Sequence, residues 1–408
     1  MRRIMRRRTF LKTSAIAGAA LSLGHVGRGT AYGQQTKSRV VIATDPQCFV
    51  NNASVASRVQ DMVDHMVMGI TGQSAKAAAY EALFRKPVTS STKILIKYNE
   101  SSGAYSLSMA AVQKALTNGL TSMLNGTFPA KNITAYGNGG TPTGPTFSVA
   151  SSSFQIQSAL VNCDYFINLA VCWAVGSNTA GVTLTLKNMM GTLSGPLSNM
   201  HNNFMNATTP WLSIVNSQPM FKSKQVLAVI DAISLCSHNG PFTPADGVAY
   251  SIIASKDMVA ADYQGFLILK QKGLTSDRIT VASATISNAA IPSYGLGTND
   301  PNNMDILSIS PPWNTTVVRS GARAERLGLS STVEKIDGGR RLIFKLQNGS
   351  SGPVELSMYA PNGGRIWGGN VLEWDGKTLA GLKVPPGDYM YCIKAGGDIV
   401  RGKVQWGL

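Results

Sequence analysis

Lys93-Ile94-Leu95-Ile96-Lys97 is a short apolar run that reads as a β-strand, and Ser106 to Leu124 behind it places Leu107, Ala111, Leu116, Leu120 and Leu124 at helical spacing. Strand followed by helix is the unit of an α/β layer. Working outward, Val40-Val41-Ile42-Ala43-Thr44 predicts a first strand that ends at Asp45. Residues 54–70 put Val55, Val59, Met62, Val63, Met66 and Val67 at helical spacing. Residues 164–171, 225–230 and 250–254 predict further strands. The alternation predicts an α/β fold with a mostly parallel sheet flanked by helices.

In such sheets ligands sit beyond the carboxyl ends of the strands. The residues expected there are Asp45, Asn99, Glu100, the segment after Val171, Asp231, Lys256 and Asp257. Asp and Asn also follow strands as turn formers and helix caps, so each has a plain architectural reading beside the functional one.

Beyond Asn299-Asp300-Pro301-Asn302-Asn303 and Ser310-Pro311-Pro312-Trp313-Asn314, which read as loops, the chain changes character. Residues 341–346, 354–359, 387–393 and 402–406 are short alternating segments set off by Gly, Pro and Asn, and they predict a small C-terminal β-sandwich. The expected organisation is a leader over residues 1–33, an α/β domain over 34–310, a linker over 311–330 and the sandwich over 331–408.

The leader rests on Arg6-Arg7-Arg8-Thr9-Phe10-Leu11-Lys12, an apolar stretch from Ala15 to Leu23 rich in Ala and Gly, and small residues around Ala31-Tyr32-Gly33. The arrangement is that of a twin-arginine export signal, with the export machinery as partner and a periplasmic or extracellular destination. The apolar stretch falls short of the ~20 residues a membrane-spanning helix needs, and no other apolar run approaches that length. Residues 1–33 hold seven of the 37 Lys and Arg and none of the 21 Asp and Glu, so 30 basic groups face 21 acidic ones in the remainder, a formal charge of +9. The basic residues are scattered without stripes or interleaved aromatics, and nucleic-acid binding is not expected.

Five cysteines in 408 residues, none in a C-x-x-C pair, are too sparse for a disulfide scaffold. No cysteine-ligated iron–sulfur cluster is expected. Buried free thiols are the favoured state, one disulfide among Cys163, Cys172 and Cys236 the alternative. His65 lies among Met62, Met66 and Met68, a set that could offer copper ligands, although methionine at this spacing is more often core packing. The run Gly137-Asn138-Gly139-Gly140-Thr141-Pro142-Thr143-Gly144 lacks the Gly-Lys-Ser/Thr ending of a phosphate loop and reads as a surface loop.

The central segment combines Cys163-Asp164-Tyr165-Phe166-Ile167-Asn168-Leu169 with Ala180-Gly181-Val182-Thr183-Leu184-Thr185-Leu186-Lys187-Asn188-Met189-Met190-Gly191. In the same order stand Ile96-Lys97-Tyr98-Asn99, Ile230-Asp231-Ala232, Asn239-Gly240-Pro241 and Ser255-Lys256-Asp257-Met258-Val259-Ala260-Ala261-Asp262. Together these resemble the bacterial and archaeal family known as domain of unknown function 362. The resemblance implies an α/β domain and brings no established reaction. Some relatives carry ferredoxin-like cysteine clusters, which this chain lacks. Relatives also commonly place a Lys and a His soon after the central strand, where this chain has Trp173 and Val175.

The constellation left by the resemblance is Lys97, Asn99, Lys187, Asn188, Asp231, Asp257 and Asp262. Lysines supply positive charge for phosphate or carboxylate, asparagines orient by amide hydrogen bonds, and carboxylates suit a hard cation or acid–base work. The competing reading is a buried polar network that fixes the fold, with Asp257 as a helix cap. In the tail, Met358-Tyr359-Ala360-Pro361-Asn362-Gly363-Gly364-Arg365, Trp374-Asp375-Gly376-Lys377 and the run from Gly381 to Tyr391 resemble the Ig-like module of flagellar hook-capping proteins and of type IX secretion sorting tails. That resemblance implies an adhesive or packing module, with Trp374 and Tyr389 in its core. Two functional readings follow: an exported protein with an anion or metal-ligand site, of a redox or metal-dependent kind if an enzyme, and a noncatalytic extracytoplasmic binding or cell-surface protein.

Overall fold

The computed structural model describes residues 37–100, 105–201, 210–238, 240, 242–311 and 313, and in the tail 329–336, 339–346, 354–359, 365–369, 373–374, 384, 387–395 and 398–406. The leader therefore lies outside the described residues, as do most of the expected linker and the side chain of Trp374.

The main sheet is built from β1 Ser38–Thr44, β2 Ile94–Tyr98, β3 Ile133–Tyr136, β4 Tyr165–Ala174, β5 Val182–Thr183, β6 Gln225–Cys236, β7 Gly247–Ser255 and β8 Met304–Ile309. Its order is β8-β1-β7-β6-β4-β2-β3, with β5 paired to β4. All strands on that path run parallel except β7, which is antiparallel to both β1 and β6, and the short β5 returns antiparallel along β4.

Strand residues of alternating parity feed two cores, as the period-two pleat requires. Ile94, Ile96, Ile167, Leu169, Val171 and Val229 pack with Val59, Met62, Val63 and Met66 of α1 (Ala56–Thr71) and with Val112 and Leu116 of α2 (Met109–Thr121). Leu95, Phe166, Cys172, Ala228 and Ile230 meet the helices of the other face. These are α3 (Thr185–Asn188), α4 (Trp211–Asn216), α5 (Pro219–Lys224), α6 (Met258–Gln271) and α7 (Ser276–Ala289). The continuous apolar character of the strands is the signature of a sheet buried on both faces. No helix among the described residues is long and apolar enough to cross a membrane.

Several expectations need correction. The helix predicted over 106–124 is shorter at both ends, because Leu107 is exposed and Leu124 and Asn125 adopt φ of +54° and +56°. β6 runs on to Cys236, so Asp231 stands inside a strand rather than after one. β7 runs antiparallel to its neighbours β1 and β6, so its end lies at the opposite edge of the sheet, which removes Lys256 and Asp257 from the carboxyl edge. The glycine-rich run is not loop throughout: Pro142–Val149 is a strand paired with Ser152–Gln157.

All five cysteines are buried free thiols. Met62 and Met66 are fully buried in the core, and the His65 ring stacks on Trp313 with centroids 5.1 Å apart. These methionines are thus committed to packing, which removes the basis for a copper site.

The tail strands form two separate antiparallel sheets. Leu329–Ile336, Gly339–Leu346 and Glu373–Trp374 make one; Arg365–Gly369, Val354–Tyr359, Gly387–Ala395 and Asp398–Trp406 make the other. Phe344 of the first meets Tyr391 of the second at 4.5 Å between ring centroids, and Tyr389 is buried.

Candidate functional site

Lys97 is the next-to-last residue of β2, pairs with Asn168 of β4, and lies on the face opposite Ile96. Its ammonium donates to Asn188 Oδ1 at 2.9 Å and to the Tyr98 carbonyl at 2.6 Å. Asn188 in turn donates through Nδ2 to Asn168 Oδ1 at 2.7 Å and to the Lys97 and Leu169 carbonyls at 3.1 Å each. Asn168 Nδ2 continues to the Thr185 carbonyl at 3.0 Å and to Gln225 Oε1 at 3.3 Å. A directed chain of amides therefore ties three strands to α3. Each buried polar atom in it is satisfied by the next, which fixes the position of the Lys187-Asn188 turn.

That turn is held from behind by Asp262. Its Oδ1 accepts from the Thr185 amide at 2.8 Å and the Thr185 hydroxyl at 2.5 Å, and its Oδ2 from the Leu186 amide at 2.9 Å. The carboxylate meets the first amides of a helix that would otherwise be unpaired. Burial nevertheless pushes Asp262 up to about 7, against the pull of these bonds.

Lys97, Asn99, Lys187 and Asn188 all line one cavity of about 770 Å³. Its walls come from the carboxyl ends of the parallel strands: Asn99 and Glu100 after β2, Gly137–Gly139 after β3, Gly176, Asn178 and Thr179 after β4, and Gly240 and Phe242 after β6. Met190, Leu193 and Leu197 add an apolar side, and His201 closes near Lys187. The size lies within the roughly 300–1,000 Å³ of small-molecule sites.

The electrostatics are cationic. Burial lowers Lys97 to about 7, partly opposed by nearby Glu100, and lowers Lys187 to about 8. His201 is pushed below its usual range, first by burial and then by the Lys187 charge, while its Nδ1 lies 3.0 Å from the Leu197 carbonyl. Burial, reinforced by Glu100, raises Tyr136 to about 12, and its hydroxyl donates to the Gly191 carbonyl at 3.1 Å. Gly191 leaves little spare room at this point. A Cβ there would stand 3.2 Å from Lys97 Nζ and 3.0 Å from the Gly137 carbonyl oxygen.

The other expected site residues are placed elsewhere. Asp231 lies on the opposite face of the sheet, where both carboxylate oxygens accept from Ser108 Oγ at 2.9 and 2.7 Å and one accepts from Ser106 Oγ at 3.0 Å. Burial raises it to about 6. Asp257 caps α6, accepting from the Ala260 amide at 2.9 Å, and its other oxygen takes the Ser38 hydroxyl at 2.5 Å and the Thr298 amide at 3.0 Å. Neither aspartate lines the cavity, and Asp262 reaches it only through the α3 turn it supports.

Trp173 and Val175 are fully buried, and Trp173 packs in the core across the sheet from Lys97. Gly137–Gly139, Gly191, His201 and Phe242 were missed by sequence reasoning. The glycine cluster at Gly137, Gly139 and Gly140 was the available signal for the first group, but the strand before it, Ile133–Tyr136, was not read from the sequence.

Every residue named as lining this cavity falls within one stretch of the chain. Residues 92–266 match the model of a family described as Domain of unknown function (DUF362). The DUF362 stretch thus contains the two lysines, the amide chain and all of the carboxyl-edge walls. No curated protein and no solved structure matches the chain. Among the described residues no group of three or more His, Cys, Asp or Glu comes together to hold a metal ion.

Proposed function

We propose that the carboxyl-edge cavity binds a small organic anion, with Lys97 and Lys187 taking its charge and Met190, Leu193, Leu197 and Phe242 taking its apolar body. The observation that carries this reading is a pair of lysines, lowered by burial to about 7 and 8, on one small-molecule-sized cavity. Burial disfavours the charged amines, and an anion between them restores the charged form. Asn99 and the glycine turn at 137–139 let ligand oxygens approach amide and backbone donors closely. A divalent cation fits less well, because the cavity offers Glu100 and His201 as its acidic and imidazole donors beside two cationic amines.

The same linkage provides the test. At pH 8, binding of an organic anion raises both lysine pKa values, so the complex takes up protons from the buffer. Calorimetric titration with a panel of mono- and dicarboxylates and phosphate monoesters, repeated in buffers of different ionisation enthalpy, measures that uptake. Affinity is expected to fall as pH rises from 7 to 9, and Lys187→Ala to weaken binding at least ten-fold. Saturable binding without proton uptake, or binding indifferent to Lys187→Ala, would refute the assignment.

This reading places the protein among binding proteins first, with the tail sheets as an accessory Ig-like module and the first 33 residues as the export signal. Fusing those residues to a reporter and replacing Arg7 and Arg8 by Lys tests the export route. Reporter that leaves the cytoplasm equally well with both substitutions would remove it.

A further inference from the structure

At the opposite edge of the sheet, where β6 begins and β7 ends, lies a second and smaller cavity of about 170 Å³. It is lined by Arg85, Lys222, Lys256, Asn216 and Gln225 over an apolar floor that includes Phe221 and Met258. Arg85, Gly295 and Leu296 contribute to it from outside the DUF362 stretch, so it is not the family's segment alone that builds it.

Three cations converge here, each steadied by main-chain oxygen. Arg85 donates through Nη1 to the Ser223 carbonyl and through Nη2 to the Lys222 carbonyl, both at 2.9 Å. Lys222 Nζ donates to the Tyr294 carbonyl at 3.0 Å and Lys256 Nζ to the Ala82 carbonyl at 3.2 Å. None of the three forms an ion pair with a carboxylate among the described residues. Lys256 is lowered from its usual value, first by burial and then by the charge of Arg85. Gly295, at φ +60°, leaves the room that Lys222 occupies, since a Cβ there would stand 2.8 Å from its Nζ.

The fourth wall carries an independent sign of a missing partner. Asn216 is 1% exposed, and its Nδ2 donates to the Leu186 carbonyl at 2.9 Å and the Leu212 carbonyl at 2.8 Å. Those two acceptors fix which end of the amide is nitrogen. Its Oδ1 is then a buried acceptor with no hydrogen-bond partner among the described residues. Buried acceptors are rarely left so, and a proton donor is what this one lacks.

Cationic charge beside an unpaired acceptor, in a volume below that of drug-sized sites, suits a small anion that also carries a hydrogen-bond donor. We propose that this cavity binds a small hydroxylated oxyanion, a phosphate monoester or carboxylate of a few carbon atoms, with the anionic group on Lys222, Lys256 and Arg85 and the hydroxyl donating to Asn216 Oδ1. Lysines, with several donors on a compact charge, suit either oxyanion.

Titration calorimetry on the full chain at low salt tests this with matched probes: glycerol 3-phosphate against propyl phosphate, and lactate against propionate. One hydroxylated probe is expected to bind at this cavity at least ten-fold more tightly than its partner without the hydroxyl. Which pair responds identifies phosphate or carboxylate as the source. Exposed Lys222→Gln combined with Lys256→Gln is expected to weaken that binding at least ten-fold with unchanged thermal melting. Lys97→Met, in the other cavity, should leave it unaltered. No saturable heat from any probe, equal affinity within both pairs, or binding that survives the double substitution would overturn the proposal.

Discussion

Lys97 shows how one side chain carries both architecture and chemistry. Its ammonium satisfies Asn188 Oδ1 and the Tyr98 carbonyl, and the same burial that makes these bonds strong brings the amine to about 7. Its closest control is Gly191, which lies against both Lys97 Nζ and the Gly137 carbonyl. Gly191→Ala would push a methyl group into that space and force the ammonium or the glycine turn to give way. Anion affinity measured by calorimetry is expected to fall about ten-fold, a loss of ~1.4 kcal/mol, while the protein stays folded by circular dichroism. Unchanged affinity would mean that Lys97 does not meet the ligand. At this scale the sequence was informative about the lysines and asparagines, whose chemical types already suggested an oxyanion. It was silent about His201, which the fold brings to the cavity from a separate segment.

Strand direction separated the residues that share a site from those that do not. Apolar patterning looks the same in a buried parallel strand and a buried antiparallel one. Thus residues 250–254 were legible as strand, but not the reversal that sends Lys256 and Asp257 to the other edge. Likewise the apolar run around residue 230 gave no sign that β6 continues past Asp231. Asp257 at the start of α6 and Asp262 within it now separate cleanly by role. Asp257 caps the helix, so Asp257→Ala should cost about 1 kcal/mol or somewhat more, seen as a lower melting temperature, with anion affinity at the carboxyl edge unaltered. Asp262 holds the α3 turn that presents Lys187 and Asn188. Asp262→Ala should therefore lower both stability, by roughly 1.5–3 kcal/mol for lost bonds to a charged group, and anion affinity. If the two variants lose affinity equally, the turn is not what Asp262 controls.

For the molecule as a whole, the buried titratable groups divide the pH scale into windows. Asp231 and Asp262, raised to about 6 and 7, disfavour folding progressively as pH climbs from about 4 through those values, after which their cost is constant. His65 and His201 are lowered, so their cost appears only as pH falls below the ordinary histidine range. Above about pH 9 the buried thiols Cys48, Cys163 and Cys172 and the phenol of Tyr80, all raised by burial, begin to penalise the folded state. Between roughly pH 7 and 8.5 the two cavity lysines dominate. Their folded pKa values lie below the unfolded one, so the penalty for burying them charged is full below about 7 and is relieved as pH rises. Ligand-free protein is therefore expected to gain melting temperature from pH 7 to 8.5, and Lys97→Met should remove most of that gain while leaving the decline above pH 9. A saturating anion should flatten the same limb from the other side, by stabilising the charged amines where the free protein is weakest. Melting curves across this interval, with and without the substitution, decide it: a wild-type protein whose stability is flat or falling from pH 7 to 8.5 would show that Lys97 is not held in the fold as a destabilised cation.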